Sequence, residues 1–90
     1  MIYVIFESIH FVMKAEKALK KENIDFELRP NPAELISSCG LCISFQENLL
    51  QKVLSILSSC MEQNIFSCYK RENGNFIKLE FWYFEGAVNE

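Results

Sequence analysis

The segment Ser37-Ser38-Cys39-Gly40-Leu41-Cys42 holds two of the four cysteines in this 90-residue chain. The thiolate form of cysteine attacks electrophiles and can carry sulfur, and it is favoured near a helix N-terminus or a positive charge. Cys39 stands at the end of a loop that follows Pro30 and Pro32, whereas Cys42 stands inside an apolar run. The sequence therefore indicates Cys39 as the candidate functional thiol.

Cys39 and Cys42 together form a C-x-x-C motif, which opens a helix in thiol oxidoreductases. Here the residues from Leu41 to Phe45 have the composition of a strand. Three residues along a strand span about 10 Å, whereas a disulfide needs Cα atoms within about 7 Å. We therefore expect Cys42 to lie in the core, and a redox pair of Cys39 and Cys42 is kept as an alternative.

The remaining cysteines, Cys60 and Cys68, do not complete a second motif. Cys60 falls on the apolar stripe of a predicted helix and Cys68 falls in a predicted strand, so a core position is expected for Cys60. With one histidine and no second C-x-x-C, the spacing does not favour zinc. Phosphate-binding glycine motifs are absent as well, so no metal or cofactor site is predicted.

Composition narrows the classes of protein to which the chain can belong. Half of its residues are hydrophobic and its formal net charge is −3, which fits a compact fold and gives no basic footprint for nucleic acid. No apolar run approaches the roughly 18–20 residues of a membrane span. The N-terminal run is too short for a signal peptide, so we expect a cytoplasmic protein with free thiols.

The hydrophobic pattern predicts one α+β domain over residues 1–90. Strands are expected at 2–6, 25–29, 41–45, 65–71 and 76–84, and amphipathic helices at 10–22 and 48–63. This order is the ferredoxin-like split βαβ plan (βαββαβ) with an added C-terminal strand. The plan places two helices on one face of an antiparallel sheet, with the strand order fifth-fourth-first-third-second.

In that plan the first helix starts at the same edge of the sheet as the loop that carries Cys39. The unpaired amides and partial positive charge of the helix start would then favour a charged sulfur on Cys39. We expect the Ser8 hydroxyl to cap this helix and His10 to supply a positive charge or a base. The predicted supporting residues are Ser8, His10, Ser37, Ser38 and Gly40, of which the serines could donate hydrogen bonds and Gly40 allows a tight backbone.

The C-terminal strand is apolar on both faces. Ile77, Leu79, Phe81 and Tyr83 alternate with Trp82 and Phe84 on the other side. A terminal strand of this kind usually needs another surface to cover it, so we predict a homodimer contact there.

Three stretches resemble the selenium/sulfur carrier-like family, a family of small bacterial proteins. They are Ser8-Ile-His10, the helix run from Met13 to Lys20, and Pro30-x-Pro32-x-Glu34 followed by Ser37-Ser38-Cys39-Gly40. The resemblance covers roughly residues 1–70, with the hairpin at 71–84 as an extension, and a small aliphatic residue is usual where this chain has Cys42.

The resemblance implies a carrier, rather than a standalone enzyme, that holds sulfur or selenium on Cys39 as a persulfide-type species. It also implies donor and acceptor proteins as partners and places His10 at the family's usual histidine position. An alternative from a different class is a ferredoxin-like regulatory or interaction module in which all the cysteines are structural.

Overall fold

The computed structural model describes residues 1–35 and 39–79, with the exception of the Gln63 side chain. This part of the chain contains five strands and two α-helices. They are β1 (Ile2–Phe6), α1 (Ile9–Lys21), β2 (Glu27–Pro30), β3 (Leu41–Phe45), α2 (Leu50–Cys60), β4 (Phe66–Glu72) and β5 (Asn75–Leu79). Short 3-10 turns at Glu47–Leu49 and Gln63–Ile65 precede α2 and β4.

The five strands form one antiparallel sheet in the order β2-β3-β1-β4-β5. The order and the α+β class agree with the sequence prediction. All five residues of β1 are buried, as expected for the central strand of such a sheet. Because β1 and β2 flank β3, the end of β1 and the loop from β2 to β3 lie at the same edge of the sheet.

One face of the sheet carries both helices. Val12 and Leu19 of α1 and Val53 and Leu57 of α2 pack in a single cluster with residues of β1, β3 and β4, including Phe6. These side chains are at most 1 % exposed, so we call this the helix-face core. It holds most of the buried apolar surface and therefore most of the hydrophobic stabilisation.

The opposite face carries a smaller apolar cluster, which we call the second-face cluster. Its buried members are Tyr3, Ile5, Leu35 and Cys42. Leu35 comes from the loop between β2 and β3, so that loop reaches over this face of the sheet. The division follows from the strand period of two residues, because Val4 and Ile43 face the helices while Ile5 and Cys42 face away.

The hairpin between β4 and β5 forms where the Asn-Gly pair predicts it. Asn73 and Gly74 have φ angles of 54° and 82°, the two positive values that a type I′ turn requires. The predicted end of the last strand, residues 80–84, lies outside the described residues. The dimer contact predicted there is therefore not described.

α2 is shorter than predicted. It begins at Leu50 after the 3-10 turn and ends at Cys60, rather than covering residues 48–63. Near its end the Ser59 hydroxyl donates to the Ile56 carbonyl at 2.7 Å, and Met61 is extended. Side-chain bonds of this kind compete with the helix ladder, which explains why the apolar pattern overestimated the helix length.

Candidate functional site

Cys39 lies where β1 ends. Its Sγ is 3.1 Å from the carbonyl oxygen of Leu41 and 3.5 Å from that of Phe6, and the thiol can donate to one of these acceptors at a time. The side chain is half-buried and packs against the helix-face core. The thiol therefore lies within hydrogen-bond reach of Phe6, the last residue of β1, three residues before α1 begins. The closeness of Cys39 to the start of α1 itself stays a prediction.

The backbone around Cys39 is held at both ends of its loop. The Asn31 amide donates to the Gly40 carbonyl at 3.0 Å, which closes the loop where β2 and β3 separate. Inside the loop the Leu35 amide donates to the Pro32 carbonyl at 3.0 Å, forming a tight turn. Gly40 has a φ of +74°, a left-handed conformation that favours glycine. The loop bends at Gly40 before it enters β3.

Ser8 occupies the N-cap position of α1, but its hydroxyl makes no capping hydrogen bond. This part of the prediction is wrong, because the Ser8 carbonyl alone accepts the amides of Phe11 at 3.1 Å and Val12 at 3.3 Å. The first turn of α1 also contains no acidic residue. The positive end of the α1 dipole is therefore not neutralised by a side chain of its own first turn.

His10 lies in that first turn and is exposed. Its ring contacts the edge of Phe11, with ring centroids 5.1 Å apart. Glu7, which precedes Ser8, is exposed as well and brings a negative charge to the same edge of the sheet. The ionisable groups at this edge thus include His10, which would favour an anionic sulfur when protonated, and Glu7, which would oppose it.

Cys42 is fully buried on the opposite face of the sheet from Cys39. Burial raises the pKa of the Cys42 thiol to about 11, although the positive charge of Arg29 acts to lower it. Its Sγ lies 3.8 Å from the Pro30 carbonyl, and both thiols are free. Since the two cysteines belong to different faces, this arrangement does not support a dithiol pair.

The other two cysteines pack in or against the helix-face core. Cys68 is fully buried in β4, where desolvation raises the pKa of its thiol to about 12. Cys60 is half-buried at the end of α2 and its thiol donates to the Leu57 carbonyl at 3.5 Å. Cys60 is therefore the other thiol with partial exposure, and it serves as the natural control for Cys39.

Two of the predicted supporting residues, Ser37 and Ser38, lie outside the described residues. Sequence reasoning did not identify the two carbonyl acceptors around Cys39 or the role of Leu35. Backbone carbonyls carry no residue-type signal, so Phe6 and Leu41 could not have been found as acceptors. Leu35 had a signal, because a leucine in a proline-bounded loop needs an apolar surface to cover it.

The described part of the chain contains neither a metal-binding cluster nor a membrane-spanning helix. Among residues 1–35 and 39–79, no three His, Cys, Asp or Glu side chains are grouped as metal ligands would be. Within the same part of the chain, no helix has the length and apolar character needed to cross a membrane.

Comparison with known proteins gives a family for this chain. Searches of curated proteins and of solved structures found no significant match. A family model described as "Putative Se/S carrier protein-like" matches residues 1–65, which include Cys39 and end just before β4. The match covers more than half of the sequence, and it agrees with the resemblance noted from the residues. The chain therefore belongs to the Se/S carrier protein-like family.

Proposed function

We propose that this protein is a cytoplasmic thiol carrier that holds sulfur or selenium on Cys39 as a persulfide-type species. The observation that carries the proposal is the position of the Cys39 sulfur, half-buried and 3.5 Å from the Phe6 carbonyl, at the edge where α1 begins. Membership of the Se/S carrier protein-like family supports the same role. The burial of Cys42 and Cys68 supports the choice of Cys39 over them.

Loading needs no added oxidant. The Cys39 thiolate attacks the terminal sulfur of a donor persulfide, a new sulfur–sulfur bond forms, and the donor's own sulfur–sulfur bond breaks. The donor cysteine leaves as a thiolate, which takes up the proton that Cys39 has lost. Discharge is the same exchange, with the acceptor thiolate as the nucleophile and Cys39 as the leaving group. A selenium atom bound to Cys39 would be transferred by the same displacement.

The environment of Cys39 suits the two states of such a carrier. In the unloaded state the thiol donates to the Leu41 or Phe6 carbonyl. A charged sulfur cannot donate and meets the negative ends of both carbonyl dipoles. We expect it to turn toward the amides of the first α1 turn, where the helix dipole favours an anion. His10, exposed in that turn, would add to this stabilisation when protonated.

The direct test is intact mass spectrometry after incubation with a cysteine desulfurase and cysteine. The wild type should gain one sulfur atom, and the gain should pass to a thiol acceptor added afterwards. Cys60→Ser is the matched control and should load like the wild type. No gain in the wild type, or equal gain in Cys39→Ser, would favour the alternative of an interaction module with structural cysteines.

We also propose that the protein forms a homodimer through its C-terminal strand. β5 is an edge strand of the sheet formed by the described residues, and Ile77 within it is 46 % exposed. An exposed edge with an apolar side chain is a favourable place for strand pairing between copies. Light scattering at micromolar concentration should give the mass of a dimer, and a monomer under those conditions would contradict this part of the proposal.

A further inference from the structure

The outward side of α1 carries a row of exposed side chains that the fold does not use. They are His10, Met13, Lys14, Lys17 and Lys20, and we call this row the α1 outer face. Their spacing of three and four residues places them on one side of the helix, opposite the buried Val12, Ala15 and Leu19. An open depression in the surface is lined by these residues and Glu16.

The α1 outer face is positively charged although the whole chain has a net charge of −3. Lys20 forms an ion pair with Glu16 at 3.3 Å. Lys14 and Lys17 form no ion pair with any residue in the described part of the chain. These two unpaired charges on one side of a helix create a local field that favours an acidic partner.

Two apolar side chains are exposed in the first half of α1, beside His10 and Lys14. Ile9 is 45 % exposed and Met13 is 63 % exposed, and their spacing of four residues makes them neighbours on the helix surface. Ile9 is the first residue of α1, at the edge of the sheet where the Cys39 sulfur meets the Phe6 carbonyl. A partner that lay along α1 would meet apolar and charged side chains together, with Ile9 and His10 at the end where the Cys39 loop lies.

We infer that the α1 outer face is the docking surface for an acidic sulfur-donor protein that loads Cys39. The inference rests on the carrier role proposed above and adds the surface and the charge of the partner. Exposed apolar side chains ringed by charges are typical of protein interfaces, in which methionine is enriched. Nucleic acid fits less well, because Ile9 and Met13 would face phosphates and Glu16 lies within the same row.

The test compares two double variants that change the net charge equally. Lys14→Glu/Lys17→Glu reverses the unpaired charges of the α1 outer face. Lys52→Glu/Arg71→Glu reverses two exposed charges on α2 and β4, which likewise form no ion pair in the described residues. Binding of each folded variant to a purified cysteine desulfurase with an acidic surface is measured by calorimetry or interferometry.

At about 50 mM salt, we expect Lys14→Glu/Lys17→Glu to raise the dissociation constant about tenfold or more. Lys52→Glu/Arg71→Glu should stay within about threefold of the wild type, because its charges lie outside the docking surface. Raising the salt to about 300 mM should bring the wild type close to Lys14→Glu/Lys17→Glu, since exposed charges are then screened. Met13→Ala should weaken binding at both salt concentrations.

Three outcomes would overturn the inference. One is equal weakening by both double variants, and another is a wild type that does not bind the desulfurase. The third is a wild type that binds a transfer RNA probe more tightly than the desulfurase, with the binding lost in Lys14→Glu/Lys17→Glu.

A small-molecule donor separates this inference from the carrier role. Glutathione persulfide should load Cys39 in the wild type and in Lys14→Glu/Lys17→Glu equally, because it needs no protein docking. If it loads both while the desulfurase binds neither, the docking surface is wrong and the carrier role stands. If it loads neither and the desulfurase still binds the α1 outer face, the carrier role is wrong and the interface stands.

Discussion

Cys39 and Cys42 are close in sequence but lie on opposite faces of the sheet and differ in their burial. Cys39 is half-buried, packs on the helix-face core and touches two backbone carbonyls. Cys42 is fully buried in the second-face cluster, where burial raises the pKa of its thiol to about 11. The comparison teaches that a C-x-x-C motif does not imply a redox pair, because its position in the fold decides which thiol a partner can reach.

The separation of the two thiols has a simple backbone cause. In a strand, neighbouring side chains point to opposite faces, so Leu41 faces the helices and Cys42 faces away. Gly40, with its φ of +74°, bends the chain between Cys39 and the start of β3. The result is that Cys39 stays on the side of the sheet where α1 begins.

The largest predicted difference between the two thiols is their rate of alkylation. A thiol with its pKa raised from 9.0 to about 11 has a smaller thiolate fraction at pH 8. That fraction is about one hundredth of the fraction in an unperturbed cysteine. We expect iodoacetamide to label the fully buried Cys42 about a hundredfold or more slower than a free cysteine, and the half-buried Cys39 to react faster than Cys42. Fragment mass spectrometry of the labelled peptide assigns each site, and equal rates in the folded protein would refute the contrast.

Leu35→Ala should make Cys42 more accessible and so speed its labelling. Leu35 is 7 % exposed and packs with Cys42 and Ile5, so its truncation should lower the free energy of unfolding by about 2–3 kcal/mol. Leu28→Ala is the control. Leu28 is 43 % exposed, so its truncation should lower the free energy of unfolding by less than about 1 kcal/mol. Denaturant melts measure both losses. Unchanged Cys42 labelling in Leu35→Ala would show that Leu35 does not cover this thiol.

The two buried thiols should also make the fold sensitive to alkaline pH. Burial raises the pKa of Cys42 to about 11 and that of Cys68 to about 12 from an unfolded value of 9.0. As the pH rises, the unfolded chain therefore loses these protons before the folded protein does. The contribution of the two buried thiols to the free energy of unfolding is complete below about pH 9 and is lost as the pH rises toward 11 and 12. Denaturant melts across this range should show a decline that is smaller in Cys42→Ala. An equal decline in Cys42→Ala would argue against a contribution from this thiol.

Gly40→Ala should test whether the bend before β3 positions Cys39. A Cβ at Gly40 would meet nothing within 4 Å. The substitution should therefore lower the free energy of unfolding only through the strain of alanine in a left-handed conformation, by about 1 kcal/mol. Gly74→Ala is the matched control, because Gly74 has a φ of +82° with equally open space. Both variants should lose similar stability in melts, but only Gly40→Ala should slow sulfur loading. Equal loading rates in the two variants would mean that the bend does not position the thiol.

The smallest predicted effect concerns the start of α1. Ser8 makes no side-chain cap, so Ser8→Asp should add a capping carboxylate and stabilise the helix by about 0.5–1 kcal/mol. The same negative charge should oppose an anionic sulfur and slow the alkylation of Cys39. Ser8→Asn adds a neutral cap, so it should stabilise the helix without slowing the alkylation of Cys39. Equal alkylation rates in the two variants would argue against an electrostatic link between α1 and Cys39.

Much of the fold could be predicted from the sequence because its signals are local. The buried run at 2–6, the alternation around β2 and the Asn73-Gly74 turn each specify an element, and the ferredoxin-like plan that fits this element order has the observed strand order. The end of α2 was not predictable from its apolar stripe, because Ser59 weakens the helix through a bond to the backbone. At the site, the position of the Cys39 loop at the edge where β1 ends followed from topology, whereas the carbonyls around its sulfur depend on side-chain placement.

The central claim is that Cys39, and no other cysteine, carries the transferred atom. The most direct measurement is intact mass spectrometry of Cys39→Ser and Cys42→Ala after loading by a cysteine desulfurase. We predict that Cys42→Ala gains one sulfur atom as the wild type does, and that Cys39→Ser gains none. Loading of Cys39→Ser to the wild-type level, or its loss in a folded Cys42→Ala, would contradict the account.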